Sequence, residues 1–416
     1  MAQQNGKSIV LVSQWFPPEH APIGYMLSEL GADLARAGWE VTVVTGFPSH
    51  PTGVVFGGYR KRLLQRERRP GVNVLRVWHF TSPRRSVINR ALTFVSFTLA
   101  AFVAVLLATR PALIFAVFQP LTVAIPLAAA ARLKRARLVL NVQDLHPDAA
   151  VELGLIQNRC IVAALRRLET VGYRLADGVA VISEGFREHC VARGASAMWT
   201  RVIENWVDLE ELAPAPRETA LRSELGISEQ DFVVLYAGTI GYMSGAEVMA
   251  DVAWALQSDR EIKLVFVGEG PVHDVLLAKA REERLENVFF LPFQARERLV
   301  EVQASSDVSV VTLRPGRGRV SVPSKVLAYM AAARPVVASV DEESETAALV
   351  QGAQCGIVVR AGDPEAIAGA IRNLKEEREW GRSLGRKGRA FLAQHLSRRA
   401  VTERYAEFFA DVVARR

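Results

Sequence analysis

The sequence predicts an α/β chain of two doubly wound parallel-sheet domains. Three observations carry this reading. Short apolar, β-branched runs alternate with helical segments from one end to the other, the pattern of parallel strands joined by helical crossovers. That series stops after Val202 and restarts at Phe232. The chain has 416 residues, more than one ordinary core organises at about 150 residues per domain. Half of the residues are apolar and 23% are charged, a composition that builds cores and excludes a disordered chain.

Taken in order, the start MAQQNGKSIVLVSQWF has one Lys before a short apolar run that enters Trp15-Phe16-Pro17-Pro18 with no small-residue cleavage site. It reads as the first strand and not as a signal peptide. The first strand series is expected at 9–13, 41–45, 74–79, 112–117, 138–142 and 179–183. Asn205-Trp206-Val207-Asp208 and Ala213-Pro214-Ala215-Pro216 then interrupt the pattern, because these prolines cannot continue a helix or a central strand. The second series is expected at 232–237, 263–267, 288–291, 308–313, 336–339 and 356–359. A nucleotide-sized ligand is expected between the two sheets, facing the carboxyl ends of the strands.

A net charge of +7 points to an anionic partner: nucleic acid, acidic lipid headgroups or a phosphorylated ligand. Arg60, Lys61, Arg62, Arg66, Arg68 and Arg69 cluster, and Arg84, Arg85 and Arg90 flank an apolar stretch. Basic beside apolar favours a membrane surface, with a solvated charged face as the alternative. Nucleic acid is disfavoured, since interleaved aromatics and a recognised motif are both missing. Residues 91–109 hold 19 positions without a charge, near the ~20 needed to cross a bilayer. Thr93, Ser96, Thr98 and the immediate return to a strand favour a buried or interfacial helix over a span. The helix expected at 121–131, rich in Ala and Leu and followed by Lys134, Arg135 and Arg137, suits a lipid-facing surface or an ordinary core. Cys160, Cys190 and Cys355 are odd in number and far apart, which supports neither a disulfide framework nor a zinc site and fits a reducing cytoplasm. The His residues are scattered without an HExxH pair, so no metal is expected.

Chemistry is expected at the strand ends. Gly24 opens the first helix, where a ligand could approach the backbone or a tight turn could need the glycine. Gln143-Asp144-Leu145-His146-Pro147-Asp148 follows the strand at 138–142, so Asp144 or His146 could bind a sugar hydroxyl or move a proton. Asp148 is an alternative helix cap. Gly238, Thr239 and Gly241 line a turn between a strand and a helix, and Gly268-Glu269-Gly270-Pro271 repeats that design. Such turns could hold a diphosphate, while the spacing matches neither GxGxxG nor a Walker motif. Val322-Pro323-Ser324-Lys325 introduces a helix at 326–332, joining Pro, a hydroxyl and a cation at one terminus. Arg314-Pro315-Gly316-Arg317-Gly318-Arg319 is a basic loop able to close on the same phosphates, or simply to stay solvated.

With these residues in hand, the chain resembles glycosyltransferase family 4, in the subgroup that makes capsule, O-antigen and colanic-acid polysaccharides and includes the fucosamine transferases. The resemblance rests on the order and spacing of several pieces. They are Gln14-Trp15-Phe16-Pro17-Pro18-Glu19, residues 34–43, Asp144-Leu145-His146-Pro147-Asp148, Glu204-Asn205-Trp206-Val207-Asp208, Val322-Pro323-Ser324-Lys325, Tyr329-Met330-Ala331 and Arg334-Pro335-Val336-Val337-Ala338.

The resemblance implies a GT-B fold of two Rossmann-like domains. Residues 1–203 would face acceptor and membrane, 204–395 would hold the donor, and 396–416 would form a helix crossing back. It implies a retaining, metal-independent transfer of a hexosyl or amino-hexosyl unit from a nucleotide-diphosphate sugar, UDP favoured, with no other cofactor. The acceptor would be a polyprenyl-diphosphate-linked saccharide, at the cytoplasmic face of a bacterial plasma membrane. By position, Gly238, Thr239 and Gly241 would lie near the diphosphate, Gly268 and Glu269 on the donor side, and Phe293 beside the base. Ser324 and Lys325 would hold phosphate, and Asp144 and His146 would face the transferred sugar. Two positions depart from the family. Ala328 stands where a Glu usually grips the ribose, and Ala333 where a Gly is usual. An epimerase of the same fold and a non-catalytic nucleotide-sugar binding protein at the membrane are the competing readings.

Overall fold

The computed structural model describes residues 7–415 apart from 20, 85, 153, 155 and 317–323. The chain divides into two compact units, Met1–Glu204 with Thr402–Arg416, and Asn205–Val401.

The first unit runs β1 (Ser8–Val12), α1 (Pro22–Arg36), β2 (Glu40–Gly46), β3 (Leu64–Arg69), β4 (Val72–Val77), α2 (Val87–Leu107), β5 (Leu113–Val117), α3 (Ala124–Lys134), β6 (Arg137–Val142), α4 (Asp148–Glu152), α5 (Arg159–Leu175), β7 (Gly178–Val181), α6 (Glu184–Ala192) and β8 (Thr200–Val202). Its sheet has the order β3-β4-β2-β1-β5-β6-β7-β8. Ile9 pairs with Val41 on one side and Leu113 on the other, both in parallel register. Strands β1 and β5 are buried along their whole length, because helices cover both faces of a parallel sheet. The winding reverses between β1 and β5, and the carboxyl ends of strands at such a switch point are where doubly wound sheets take their ligands.

Two strands in this unit were not expected. β8 is only three residues long. β3 lies inside the basic cluster and pairs antiparallel with β4 at the sheet edge. Arg66 and Arg68 point outward while Gln65, Glu67 and Arg69 are half-buried, so half of that cluster is a charged edge strand, which resists pairing with another chain. The apolar stretch forms α2, capped by the Ser86 hydroxyl accepting from the Asn89 amide. One face, including Phe97, Ala101, Ala104 and Val105, is buried against β2, β4 and α3.

The second unit runs α7 (Ala220–Glu224), β9 (Phe232–Ala237), α8 (Val248–Leu256), β10 (Ile262–Val267), α9 (His273–Glu282), β11 (Val288–Leu291), α10 (Leu299–Ala304), β12 (Val308–Thr312), α11 (Lys325–Ala331), β13 (Val336–Ser339), α12 (Glu345–Gly352), β14 (Gly356–Val359), α13 (Pro364–Glu376) and α14 (Arg378–Phe391). Its sheet is parallel throughout, in the order β11-β10-β9-β12-β13-β14, and reverses direction between β9 and β12. Tyr236, Met249, Phe266 and Ile371 sit in one buried core on the α8 and α13 face.

The final helix, α15 (Arg398–Ala414), belongs to the first unit from Thr402 onward. Tyr405 and Phe409 pack edge-on against Phe115 of β5 at 5.6 and 5.0 Å between ring centroids. The Tyr405 hydroxyl accepts a 3.1 Å hydrogen bond from the Asn141 amide of β6, which supplies the polar partner this buried phenol requires.

Candidate active site

In the second unit the chain leaves β9 through Gly238, Thr239 and Gly241. Gly238 has φ of 116°, a backbone that side chains rarely adopt. A Cβ placed there would stand 3.5 Å from Cε and 3.8 Å from Nζ of Lys325. Lys325 opens α11, and its ammonium lies 4.0 Å from the centroid of the Tyr236 ring, inside cation–π range. That ammonium is buried with no hydrogen-bond partner among the described residues. A buried cation beside a glycine turn suits an anionic group, since an ammonium out of water needs a counter-charge or hydrogen-bond acceptors around it.

Tyr329 fixes α11 against the strand. Its buried hydroxyl accepts from the Ala237 amide at 3.0 Å and donates to the Ala237 carbonyl at 3.1 Å. Burial pushes the Tyr329 phenol well above its ordinary pKa, so it stays neutral and holds both bonds at physiological pH.

The second glycine turn has a different role from the one expected. Gly268 and Gly270 have φ of 142° and 155°, and a Cβ on them would meet the carbonyl oxygens of Gly238 and Ile240 at 2.1 and 2.4 Å. The amides of Gly238 and Ile240 donate to Val267 and Glu269 at 2.8 and 3.0 Å. The two turns therefore interlock, and the Gly238 and Ile240 amides are used in that lock. Nor does the first turn open a helix directly: a 3-10 turn at Tyr242–Ser244 intervenes and α8 begins at Val248. Thr239 and Gly241 lie outside the interlock, with Thr239 exposed. Glu269 and Phe293 are exposed beyond β10 and β11.

Ser324 is exposed and makes no side-chain capping bond to α11. Ala328 lies one turn after Lys325 on the same helix face and is half-buried. Ala333 adopts φ of 55°, the left-handed conformation that explains why glycine is the usual residue there. In the basic loop, Arg314 pairs with Glu247 and the Gly316 amide donates to Asp341 at 2.8 Å. Arg317, Gly318, Arg319, Val322 and Pro323 lie outside the described residues, as does Arg85.

In the first unit, Asp144 is exposed and His146 half-buried beyond β6. His146 Nε2 lies 3.1 Å from the Gln119 side-chain amide, which comes from the end of β5 beside the switch point. Asp148 is no cap: it pairs with Arg166 at 2.9 Å and Arg193 at 3.5 Å. At Gly24 the packing itself calls for glycine, one of the two readings open for it. A Cβ there would press the Phe16 backbone at 3.1 Å, so the glycine lets α1 seat on the chain after β1. On that face it makes room for protein, not ligand.

The loops after β1 and β2 are tied by buried charge. Glu19 is 1% exposed, and its carboxylate accepts from the amides of Ser49 and His50 at 2.8 Å each. Burial raises its pKa, opposed by those amides and by Arg76. Arg76 is fully buried and donates to Glu67 at 2.8 Å, to the Gly46 carbonyl at 3.1 Å and to the Pro17 carbonyl at 2.6 Å. His79, on the chain just past β4, is 2% exposed, and burial lowers its pKa to about 4.

Residues 23–206 match the family described as glycosyl transferase 4-like domain, and residues 217–391 match glycosyl transferases group 1. WcaI of Escherichia coli (strain K12), whose name assigns it to colanic acid biosynthesis as a glycosyl transferase, is 26% identical over 369 residues, covering 87% of this chain and 89% of that protein. Sucrose-phosphate synthase from Thermosynechococcus elongatus superposes with a TM-score of 0.74 at 20% identity, over 98% of this chain and 99% of that one. Anabaena Alr3699/HepE, solved with UDP and glucose, gives 0.68 at 18% identity over 96% and 98%. At such identities the solved structures speak for shared fold alone. Two doubly wound sheets of these families define a glycosyltransferase of the GT-B fold. Its second unit carries the group 1 glycosyltransferase domain, with Gly238 and Lys325 inside the matched span.

Proposed function

We propose that this protein moves a hexosyl or amino-hexosyl unit, with retention and without a metal, from a nucleotide-diphosphate sugar to a polyprenyl-diphosphate-linked saccharide in cell-surface polysaccharide biosynthesis. The observation that carries the reading is the buried Lys325 ammonium beside the Gly238 turn, without a hydrogen-bond partner among the described residues. A diphosphate bound there supplies the missing negative charge, and Lys325 stabilises it as it departs, the electrostatic term that dominates such transfers. The sheet topology supports the division of labour, because His146 and Asp144 sit at the carboxyl end of a doubly wound sheet, where the acceptor and transferred sugar would lie. UDP is the favoured nucleotide by analogy with the Anabaena protein, and the polysaccharide assignment follows the likeness to WcaI. The site of action would be the cytoplasmic face of the membrane, where nucleotide sugars and lipid-linked acceptors meet.

The test is release of nucleoside diphosphate from a panel of UDP-, GDP- and dTDP-sugars, with and without a membrane extract holding polyprenyl-linked acceptors. Acceptor-dependent release with one donor is the expected result. A changed sugar nucleotide formed without acceptor would replace the reading with an epimerase. Donor binding without release across the panel would replace it with a non-catalytic binding protein.

A further inference from the structure

Helix α2 buries one face and leaves the other uncovered. Ile88, Leu92, Val95, Leu99, Val103 and Leu107 are 72, 48, 48, 58, 52 and 63% exposed. Their spacing of three or four residues puts them on one line of the helix surface. A helix of 21 residues is about 31 Å long, so this is an apolar strip along the whole element and no scattered exposed leucine. The neighbouring helix α3 exposes Ile125 and Leu133 as well, and the Thr98 and Thr122 hydroxyls, 2.7 Å apart, tie α2 to the turn that precedes it.

The charge around the strip is one-sided. Between residues 68 and 143 the sequence has eleven Lys or Arg and no Asp or Glu. The whole chain is only +7, so the remainder is net acidic. Arg76 is buried and Arg137 is paired with Asp177, but Arg84 and Arg90 are exposed at the amino end of α2, and Arg110, Arg132 and Arg135 at its carboxyl end. An apolar strip with exposed cations at both ends, where Glu40 and Glu67 beside Leu107 and Ala108 are outnumbered by arginines, complements a surface that is apolar beneath and negative above.

We propose that the outward face of α2 is the surface by which the first unit rests on an anionic lipid bilayer, with the helix lying in the plane of the interface. The apolar side chains enter the acyl boundary while the arginines meet lipid phosphates. The buried face of α2 remains on β2 and β4, so the helix does not cross. A second copy of this chain fits the face poorly. A two-fold contact would bring two cationic surroundings together, a repulsive arrangement.

The experiment is flotation of the purified full-length protein with vesicles of phosphatidylcholine alone or with about one third phosphatidylglycerol. Donor and acceptor are absent, so failure here is distinct from failure of the transferase reading. The protein is expected to float with the anionic vesicles and to be released by high salt or carbonate. Leu99→Glu and Leu92→Glu should each weaken binding more than ~10-fold, the loss of one buried leucine. Arg90→Gln and Arg110→Gln should cost about fivefold apiece. Trp254→Glu, at a residue 56% exposed on the second unit, should change nothing. Unchanged circular dichroism keeps the helix variants interpretable. Flotation of Leu99→Glu like the parent, no preference for anionic vesicles, resistance to carbonate, or a dimer split by Leu99→Glu in a protein that ignores vesicles would each overturn the proposal.

Discussion

The two units hold their strand ends by different means. In the second, backbone meets backbone: the turns after β9 and β10 interlock through Gly238, Gly268 and Gly270, and the Lys325 side chain lies against Gly238. In the first, buried side chains do this work. Glu19 gathers the amides of Ser49 and His50, Arg76 ties Pro17 and Gly46, and His79 lies beside Gly46, where an added Cβ would come within 2.5 Å of its ring. The contrast teaches that one site is sensitive to added atoms and the other to charge state. A backbone lock has no pKa, whereas a buried His must stay neutral and a buried Arg must stay paired.

Acid gives the largest expected difference. His79 has a folded pKa lowered from 6.5 to about 4, so below pH 6.5 the unfolded chain binds a proton that the folded one refuses. Stability of the first unit is therefore intact above pH 6.5 and falls as pH drops toward 4, by roughly 3 kcal/mol from this group. Urea melts across that range should show the slope, and His79→Leu should remove this share of it. A melt of that variant as steep in pH as the parent would mean that other groups govern the acid response.

Adding atoms to the second unit comes next. Gly268→Ala puts a Cβ 2.1 Å from the Gly238 oxygen at an unfavourable φ and should destabilise by about 2–3 kcal/mol. Gly241→Ala, with φ of −101° and its nearest neighbour at 3.7 Å, should cost less than about 1 kcal/mol. Equal costs in denaturant titrations would remove the distinction between lock and turn.

Two alanines on and after α11 give smaller effects. Ala328→Glu restores a carboxylate one turn from Lys325 and should tighten donor binding by about 1.5 kcal/mol, roughly tenfold, if the ribose lies over that face. Calorimetric titration with UDP measures it, and weaker binding would place the ribose elsewhere. Ala333→Gly relieves the left-handed φ of 55° and should stabilise the second unit by about 1 kcal/mol. A fall in melting temperature would contradict that reading of the backbone.

This contrast also explains what the sequence could disclose. Short apolar runs between turn residues read as parallel strands whether buried, as β9 and β13 are, or half-buried at the sheet edges, as β11 and β14 are, so all four fell on their expected bounds. Gly238 and Lys325 were each legible as candidates because glycine and a Ser-Lys helix start punctuate the chain locally, while their joint role came only from the family resemblance. The role of Gly268 was not, since the clash that requires it comes from a neighbouring strand. β3 was hidden because an edge strand of Arg, Glu and Gln carries no apolar alternation. Glu19, Arg76 and Gln119 escaped notice for a different reason: their partners Ser49, Pro17 and His146 lie 27 to 59 residues away, and separation of that order leaves no periodicity to read. Asp148 looked like a cap because it starts a helix, and its arginines come from α5 and from the end of α6.

The most direct test of the central claim, that Lys325 and the Gly238 turn receive the donor diphosphate, is Lys325→Ala assayed for both UDP affinity and acceptor-dependent nucleotide release. Weaker UDP binding and a release rate lower by about 10²–10³-fold are expected in a protein that melts as the parent does. Parental affinity and rate in the folded variant would show that the diphosphate is held elsewhere.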